Sequence, residues 1–206
     1  QKTQTKNRIA DIVNEKSIVN AMIGLLATGG STNHTIHLPA IARGAGIHIN
    51  WDDFDELSQI VPLICKIYPT GKADINQFHA AGGMSYVIRT LIDNGYLHED
   101  VKTVLGDGLE AFASEPVLKN NEIKWRTGPA TSGDANIISD ARTPFSKNGG
   151  LRAVSGNLGR GIVKISAVKP EHYLITAPAH VFYDQNDVVA AFENGELEKD
   201  VMIILL

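Results

Sequence analysis

The chain has 206 residues and a formal net charge of −4, from 19 basic and 23 acidic side chains. Its hydrophobic content of 43% and charged content of 20% are typical of globular proteins and exclude disorder as the dominant state. The mild acidity argues against a nucleic-acid-binding surface, which requires a basic patch. No apolar run approaches the roughly 20 residues of a membrane-spanning helix.

The single cysteine, Cys65, excludes a disulfide within the chain and a metal cage built from cysteines of this chain alone. It follows Leu63 and Ile64 in an apolar run, which favours a buried structural thiol. Together with the polar N-terminal residues, this cysteine usage favours a cytoplasmic location. The sequence starts at Gln1 and stops within the apolar run 201–206. We therefore expect an internal piece of a longer protein.

Residues 17 to 113 have mainly helical periodicity. Apolar residues recur at helical spacing from Ser17 to Ala27, and Gly29 and Gly30 follow as a helix stop. A second helix is predicted to begin with the cap residues at 31–33 and to end at 44–46. The other elements predicted in this half are helices after Asn50 (with Phe54, Leu57, Ile60 and Val61 on one face), over 84–93 and over 108–112, and short strands at 47–49 and 103–105.

The second half of the chain has mainly strand character. Residues 114–150 are rich in proline and glycine and are interpreted as a connector. Strands are predicted at 151–154, 162–165, 173–176 and 201–206, with one helix at 184–193. The predicted fold class is α/β: a helix-rich part of an α/β domain at 1–150, followed by the start of a β-barrel-like domain at 151–206.

The most informative motif is the Gly-Gly-Ser-Thr-Asn-His segment at positions 29–34. Glycines let a backbone approach a ligand closely, and the free N–H groups of a helix start attract anions. A sugar-acid carboxylate or a phosphate would fit such a site. The same residues also suit a helix stop that runs directly into the next helix cap, with no ligand. On physical grounds alone both interpretations stay open, with the second favoured.

Other polar residues have simpler explanations. His34 and His37 are three residues apart and would share a helix face, but no third metal ligand is placed nearby by spacing. The acidic cluster at 52–56 could bind a hard cation, although a capped helix start explains it better. Asp74 similarly favours a helix cap. Glycine-rich stretches at 128–133 and 156–161 lack the lysine or the glycine order of nucleotide-binding motifs.

Several ordered stretches carry a resemblance to a known family. Residues 26–38, which include the motif at 29–34, resemble the Gly-Gly-Ser-Thr-Asn segment of the dihydroxy-acid dehydratase and phosphogluconate dehydratase family. The stretches at 49–54, 73–84 and 156–160 look specifically like the phosphogluconate branch of that family. The resemblance extends from about residue 17 to residue 202.

The resemblance implies a hydro-lyase that removes water from a 2,3-dihydroxy acid. In the phosphogluconate branch, 6-phospho-D-gluconate becomes 2-dehydro-3-deoxy-6-phosphogluconate in the Entner–Doudoroff pathway of gluconate utilisation. The family also implies an iron–sulfur cluster, 4Fe-4S in this branch, and a nearby divalent cation. An iron with an open coordination position can act as a Lewis acid on the leaving hydroxyl. A homodimer with a small sugar-acid phosphate as substrate is expected, without nucleic-acid or membrane partners.

The sequence departs from the family in what it omits. The family's cluster cysteines lie upstream of the matched segment, and its proposed catalytic serine lies downstream, so we assign no metal ligand or catalytic residue here. The isolated chain is expected to be inactive. The alternatives are the dihydroxy-acid dehydratase of branched-chain amino-acid synthesis and a non-catalytic ligand-binding module. The resemblance transfers a substrate-lining role only to Gly29, Gly30, Ser31, Thr32, Asn33 and, more weakly, His34.

Overall fold

The computed structural model describes residues 8–206. They fall into two compact units, the first ending at Ala167 and the second running from Val168 to Leu206. The helices of the first unit are α1 (Ile9–Ile12), α2 (Glu15–Thr28), α3 (His34–Gly44), α4 (Trp51–Ile60), α5 (Ile75–Ala80) and α6 (Gly83–Asp93). Its strands are β1 (Lys102–Thr103), β2 (Gly106–Asp107), β3 (Ser114–Lys119), β4 (Glu122–Thr127), β5 (Leu151–Gly156) and β6 (Gly159–Lys164), with 3₁₀ turns at Glu110–Ala113 and Ile165–Ala167.

Helix α2 passes through the centre of the first unit. Its cap is Asn14, whose side chain accepts a hydrogen bond from the Ser17 backbone N–H at 2.9 Å, while the Ser17 hydroxyl accepts from the Asn14 N–H. The predicted helix therefore starts earlier than Ser17, which is the third residue of a capping box. Leu26 and Ala27 are fully buried, and the predicted stop at Gly29 is confirmed, with a left-handed φ of +60°.

The core of the first unit is formed where α2, α3, α4 and α6 meet the irregular chain around Ile64 and Ile138. On α4, Phe54 is fully buried, as the predicted apolar face requires. Ile60, which was expected on that face, is instead 66% exposed. Helix α4 ends at this residue, and Val61 takes the buried position as the backbone turns to an extended conformation.

Helix α4 holds the β5–β6 hairpin through backbone groups at the start of β5. The Ser58 hydroxyl accepts from the Leu151 N–H at 3.1 Å, and the Asp55 carboxylate accepts from the Ala153 N–H at 3.1 Å. Arg152 adds an ion pair with Asp55 at 3.3 Å. Strands β5 and β6 pair antiparallel, with Leu151 opposite Lys164. These contacts fix the position of the hairpin against α4.

Three short elements of the helical half differ from the sequence prediction. Residues 47–49 form no strand, because the Ile47 N–H closes the end of α3 on the Ala42 carbonyl at 2.9 Å. The strand expected at 103–105 ends at Thr103, where a tight turn leads into β2. The helix expected at 108–112 is the 3₁₀ turn at Glu110–Ala113.

The connector predicted at 114–150 contains a regular hairpin. Strands β3 and β4 pair antiparallel across a two-residue turn at Asn120 and Asn121, which have φ values of +54° and +61°. Two successive positive φ values are typical of the turn that joins tight hairpins, and asparagine tolerates them. Pro116 lies within β3, and the sequence therefore did not indicate a strand there, since proline cannot donate a ladder hydrogen bond. The rest of the segment is irregular, as expected.

The second unit is a β–α–β arrangement. It contains a 3₁₀ turn (Pro170–His172), β7 (Ala179–Phe182), α7 (Gln185–Glu193) and β8 (Met202–Leu205), and the two strands pair in parallel. The strand expected at 173–176 is absent from these residues, and Leu174 is 87% exposed. The mixed helix and strand content confirms the α/β class. Each sheet in residues 8–206 has two strands, and none of them closes into a barrel.

We expect Ser58→Ala to lower the free energy of unfolding by about 1–3 kcal/mol, because it leaves the buried Leu151 N–H without an acceptor. Urea unfolding followed by circular dichroism measures the change. Ser155→Ala, at an exposed position of β5, is the matched control and should alter stability little. Equal unfolding midpoints for the two variants would contradict the proposed anchoring of β5 by α4.

Candidate functional site

The predicted motif forms the turn between α2 and α3, and we call residues 29–34 the glycine turn. The Gly30 N–H donates to the Leu25 carbonyl at 2.9 Å, and the Gly29 N–H donates to the Leu26 carbonyl at 3.2 Å. This pair of bonds is a Schellman motif, which ends a helix and uses its last free carbonyls. Gly29 is buried, whereas the turn becomes exposed at Ser31. The six predicted residues thus lie together on one short segment.

Within the glycine turn, Ser31 rather than Asn33 satisfies the start of α3. The Ser31 hydroxyl accepts from the Asn33 N–H at 3.2 Å, and the Asn33 side chain makes no cap hydrogen bond. The Thr32 carbonyl accepts from the Thr35 hydroxyl at 2.7 Å. Among the described hydrogen bonds, the side chains of Thr32 and Asn33 take no part, so both remain able to bind a ligand.

The histidines of α3 do not form a metal site. His34 is exposed and its Nδ1 lies 3.1 Å from the Ser31 carbonyl oxygen, a local contact within the turn. His37 is also exposed. In residues 8–206, no group of three or more histidine, cysteine, aspartate or glutamate side chains is placed to hold a metal ion.

Lys164 is the residue that sequence reasoning missed. It ends β6, and its Nζ donates a hydrogen bond to the Gly29 carbonyl, 135 residues away in the sequence. The side chain is half-buried, and this burial lowers the pKa of Lys164 because it disfavours the charged form. No local motif around Lys164 indicates the contact. A positive charge therefore lies at the buried end of the glycine turn.

An apolar cavity of about 610 Å³ includes part of the turn in its lining. Helices α2 and α6 line it with Leu25, Met84 and Val87, and Gly30 and His34 of the turn also line it. The cavity explains why Met84, on the predicted apolar face of α6, is 46% exposed. Aliphatic walls of this kind do not match a charged, hydroxylated ligand. The polar groups of the glycine turn and this cavity are chemically distinct.

The acidic cluster at 52–56 is structural, as the cap interpretation predicts. Asp53 accepts from the Asn50 N–H at 2.7 Å, and the Asn50 side chain accepts from the Asp52 N–H at 2.7 Å. Asp52 also pairs with Arg160 of β6, and Asp55 pairs with Arg152. These carboxylates therefore cap α4 and hold the β5–β6 hairpin.

Asp74 is also a helix cap. Its carboxylate accepts from the Gln77 N–H at 2.8 Å, and the Gln77 side chain accepts from the Asp74 N–H at 2.9 Å. This reciprocal pair is a capping box at the start of α5. The favoured prediction of a helix cap at Asp74 is confirmed.

Cys65 is fully buried, and burial raises the pKa of its thiol to about 12. Iron–sulfur clusters are held by several cysteine thiolates, and thiolate formation here is strongly disfavoured. With a single cysteine in the chain and no group of three or more metal-ligating side chains in residues 8–206, the described residues do not by themselves fit a cluster or metal site. The prediction that Cys65 is a buried structural thiol is confirmed.

None of the helices in the described part of the chain has the length and apolar character that crossing a lipid bilayer requires.

Two family models match the chain. Residues 1–112 match the model described as dihydroxy-acid/6-phosphogluconate dehydratase N-terminal, and residues 136–206 match the corresponding C-terminal model. The interval between them, 113–135, contains the β3–β4 hairpin. The two matches follow the order that the sequence resemblance implies.

Named relatives show the same similarity. The chain is 54% identical over 197 residues to a phosphogluconate dehydratase of Pseudomonas aeruginosa, which is 96% of this chain and 32% of the relative. It is 52% identical over 198 residues to the phosphogluconate dehydratase of Zymomonas mobilis, with 96% and 32% covered. A dihydroxy-acid dehydratase of Caldanaerobacter subterraneus is 35% identical over 198 residues, with 95% and 33% covered. The chain spans about a third of the length of these curated relatives.

We expect Cys65 in the native chain to react very slowly with a thiol reagent such as DTNB, because the thiol is buried and almost never ionised at mildly alkaline pH. Unfolding in guanidinium chloride should make the reaction fast. Ser155→Cys places a second thiol at an exposed position and serves as a positive control. Rapid modification of native Cys65 would show that the thiol is accessible and would overturn this assignment.

Proposed function

Because the chain belongs to the dihydroxy-acid/6-phosphogluconate dehydratase family, we propose that it is part of an enzyme that dehydrates 6-phospho-D-gluconate to 2-dehydro-3-deoxy-6-phosphogluconate. The observation that carries this proposal is the difference in identity between the two branches. The phosphogluconate dehydratase of Pseudomonas aeruginosa is 54% identical over 197 residues, whereas the dihydroxy-acid dehydratase is 35% identical over 198 residues.

The reaction is a loss of one water molecule. The hydrogen beside the carboxylate and the hydroxyl on the neighbouring carbon leave, and the resulting enol tautomerises to the 2-keto acid. The substrate carries a carboxylate, hydroxyls and a phosphate, so binding requires positive charge and hydrogen-bond donors. The glycine turn has hydroxyl and amide side chains, and the Lys164 ammonium donates to its Gly29 carbonyl, so this part of the chain has both kinds of group.

Gly29, Gly30, Ser31, Thr32, Asn33 and His34 are the proposed substrate-lining residues. The glycines keep the turn free of side chains at its buried end. Thr32 and Asn33 have polar side chains that are not used in the described hydrogen bonds, so they can donate to substrate oxygens. These roles concern binding and orientation of the substrate. No residue of the chain is proposed as the base.

The family implies a 4Fe-4S cluster and a divalent cation. Since residues 8–206 supply no fitting ligand set, we place any cluster and metal ligands outside the described chain. We further propose that residues 1–150 form the later part of an N-terminal α/β domain and 151–206 the start of a C-terminal β-barrel domain. The two successive family-model matches support this order. A cytoplasmic homodimer is the proposed state of the whole enzyme.

Grafting provides a direct test of the function. We expect the phosphogluconate dehydratase of Pseudomonas aeruginosa to remain active when this chain replaces its matching segment, because 54% identity preserves the packing of the segment. Formation of the 2-keto acid from 6-phosphogluconate measures activity. The same junctions closed with the parent's own segment are the control for the grafting itself.

Substrate choice separates the two branches. A chimera that dehydrates a branched-chain dihydroxy acid but leaves 6-phosphogluconate unchanged would transfer the chain to the dihydroxy-acid branch. A folded, iron-loaded chimera that binds 6-phosphogluconate without turnover would favour the non-catalytic binding module. Either result would contradict the proposed function.

In the active chimera, we expect Thr32→Ala to weaken substrate binding by roughly 1–3 kcal/mol, because a charged acceptor loses a hydroxyl donor. The change should appear as a raised KM for 6-phosphogluconate. Thr127→Ala, at an exposed position of β4, is the matched control. Unchanged KM and kcat for Thr32→Ala would remove Thr32 from the proposed site.

A further inference from the structure

Lys164 carries a charge that no described residue neutralises with a counter-charge. Its Nζ donates to the Gly29 carbonyl, and it takes part in none of the ion pairs found within 4.0 Å in residues 8–206. A lysine ammonium has three N–H groups, so two are left for another acceptor. A half-buried charge without a counter-charge is unfavourable. Such an ammonium is well suited to bind an anion.

A second polar group, the Thr70 hydroxyl, lies next to Gly29. The Thr70 hydroxyl oxygen is shielded from solvent and has no hydrogen-bond partner among the described residues. A Cβ built on Gly29 would lie 3.2 Å from this oxygen and 3.0 Å from the Leu63 side chain. The Thr70 hydroxyl therefore lies beside Gly29, on whose carbonyl the Lys164 ammonium rests. An unsatisfied buried hydroxyl costs free energy that a bound acceptor would recover.

We propose that Lys164 and Thr70 form an oxyanion subsite at the buried end of the glycine turn, which takes a carboxylate or phosphate group of a sugar acid. The proposal rests on the proposed function for the identity of the ligand. Lys164 donates charge-assisted hydrogen bonds from its two remaining N–H groups, and Thr70 donates from its hydroxyl. Neither residue belongs to the motif at 29–34, on which the sequence resemblance rests.

A purely structural role for Lys164 makes a different prediction. A cation at the C-terminal end of α2 stabilises that end of the helix dipole, and its loss would lower the stability of the chain. It would not change the affinity of the folded protein for anions. Affinity and stability must therefore be measured on the same variants.

The test uses the whole 206-residue chain and titrates it with gluconate, glucose 6-phosphate and inorganic phosphate, followed by NMR and calorimetry. We expect saturable binding of gluconate or of the phosphate-bearing probes, and roughly 10- to 100-fold weaker binding by Lys164→Met. Thr70→Val removes the hydroxyl at nearly constant volume and should weaken binding by roughly 3- to 10-fold. Lys147→Met, at an exposed lysine, is the charge-matched control.

Each result has a defined meaning. Binding of gluconate identifies the carboxylate as the group recognised, and binding of glucose 6-phosphate or inorganic phosphate identifies the phosphate. Absence of saturable binding by the unmodified chain overturns the proposal, as does an unchanged affinity in Lys164→Met. If Lys164→Met does not fold, Lys164→Arg, which keeps the charge, and Thr70→Val decide: retained affinity in the first with reduced affinity in the second supports the subsite, and any other combination refutes it.

The chimera separates this proposal from the function on which it rests. If the grafted enzyme is active and Lys164→Met alters neither KM nor kcat, the subsite is wrong and the function stands. If the chain binds the anionic probes through Lys164 but the chimera does not dehydrate 6-phosphogluconate, the function is wrong and an anion subsite remains.

Discussion

The fold depends on how the carbonyl groups at the end of α2 are satisfied. The last carbonyls of a helix have no partner within it, and α2 ends inside the core, where water cannot serve. The Ala27 carbonyl accepts from the Ile64 and Cys65 N–H groups at 2.8 and 3.2 Å, which brings the irregular chain after α4 against the helix. The Gly29 carbonyl accepts from Lys164. The buried end of α2 thus contacts two distant segments of the first unit, the chain at 64–65 and the end of β6.

That arrangement also explains why the candidate site is assembled from distant parts of the sequence. Lys164 reaches the glycine turn because Ser58 and Asp55 of α4 fix the start of β5, and the antiparallel register sets Lys164 opposite Leu151. Gly149 packs so closely on Leu26 that an added Cβ would lie 2.7 Å from the Leu26 Cβ. Close backbone approach, rather than a short spacing in the sequence, positions the ammonium.

Sequence patterns predicted the elements whose signals are local. Helical spacing and a following glycine placed α2, α3 and α6 near their observed bounds, and Asp184 begins α7 as its cap. Sequence patterns failed for the elements whose conformation depends on tertiary contacts. Ile47 and Ile49 are β-branched, as strand residues often are, but residues 47–49 have no strand partner. Strand β4 of the β3–β4 hairpin is exposed throughout, so its sequence lacks the alternation of buried and exposed residues that predicts a strand.

The candidate site, like the fold, was only partly predictable from the sequence. The glycine turn itself was predictable, because a helix stop and a helix start fall within six positions, whereas the binding role of its residues stays a prediction. The unpaired Thr70 hydroxyl and the half-buried Lys164 ammonium on the Gly29 carbonyl were not predictable, because the sequence around a threonine or a lysine does not show how buried its side chain is. Cys65 is the single cysteine of the chain and is fully buried, so this chain cannot hold a cluster by itself, whereas the turn and its two neighbours have the donors that an anion requires. The described residues by themselves therefore do not assemble the family's cluster, and recognition of the acid's charged groups stays the role that we propose for this chain.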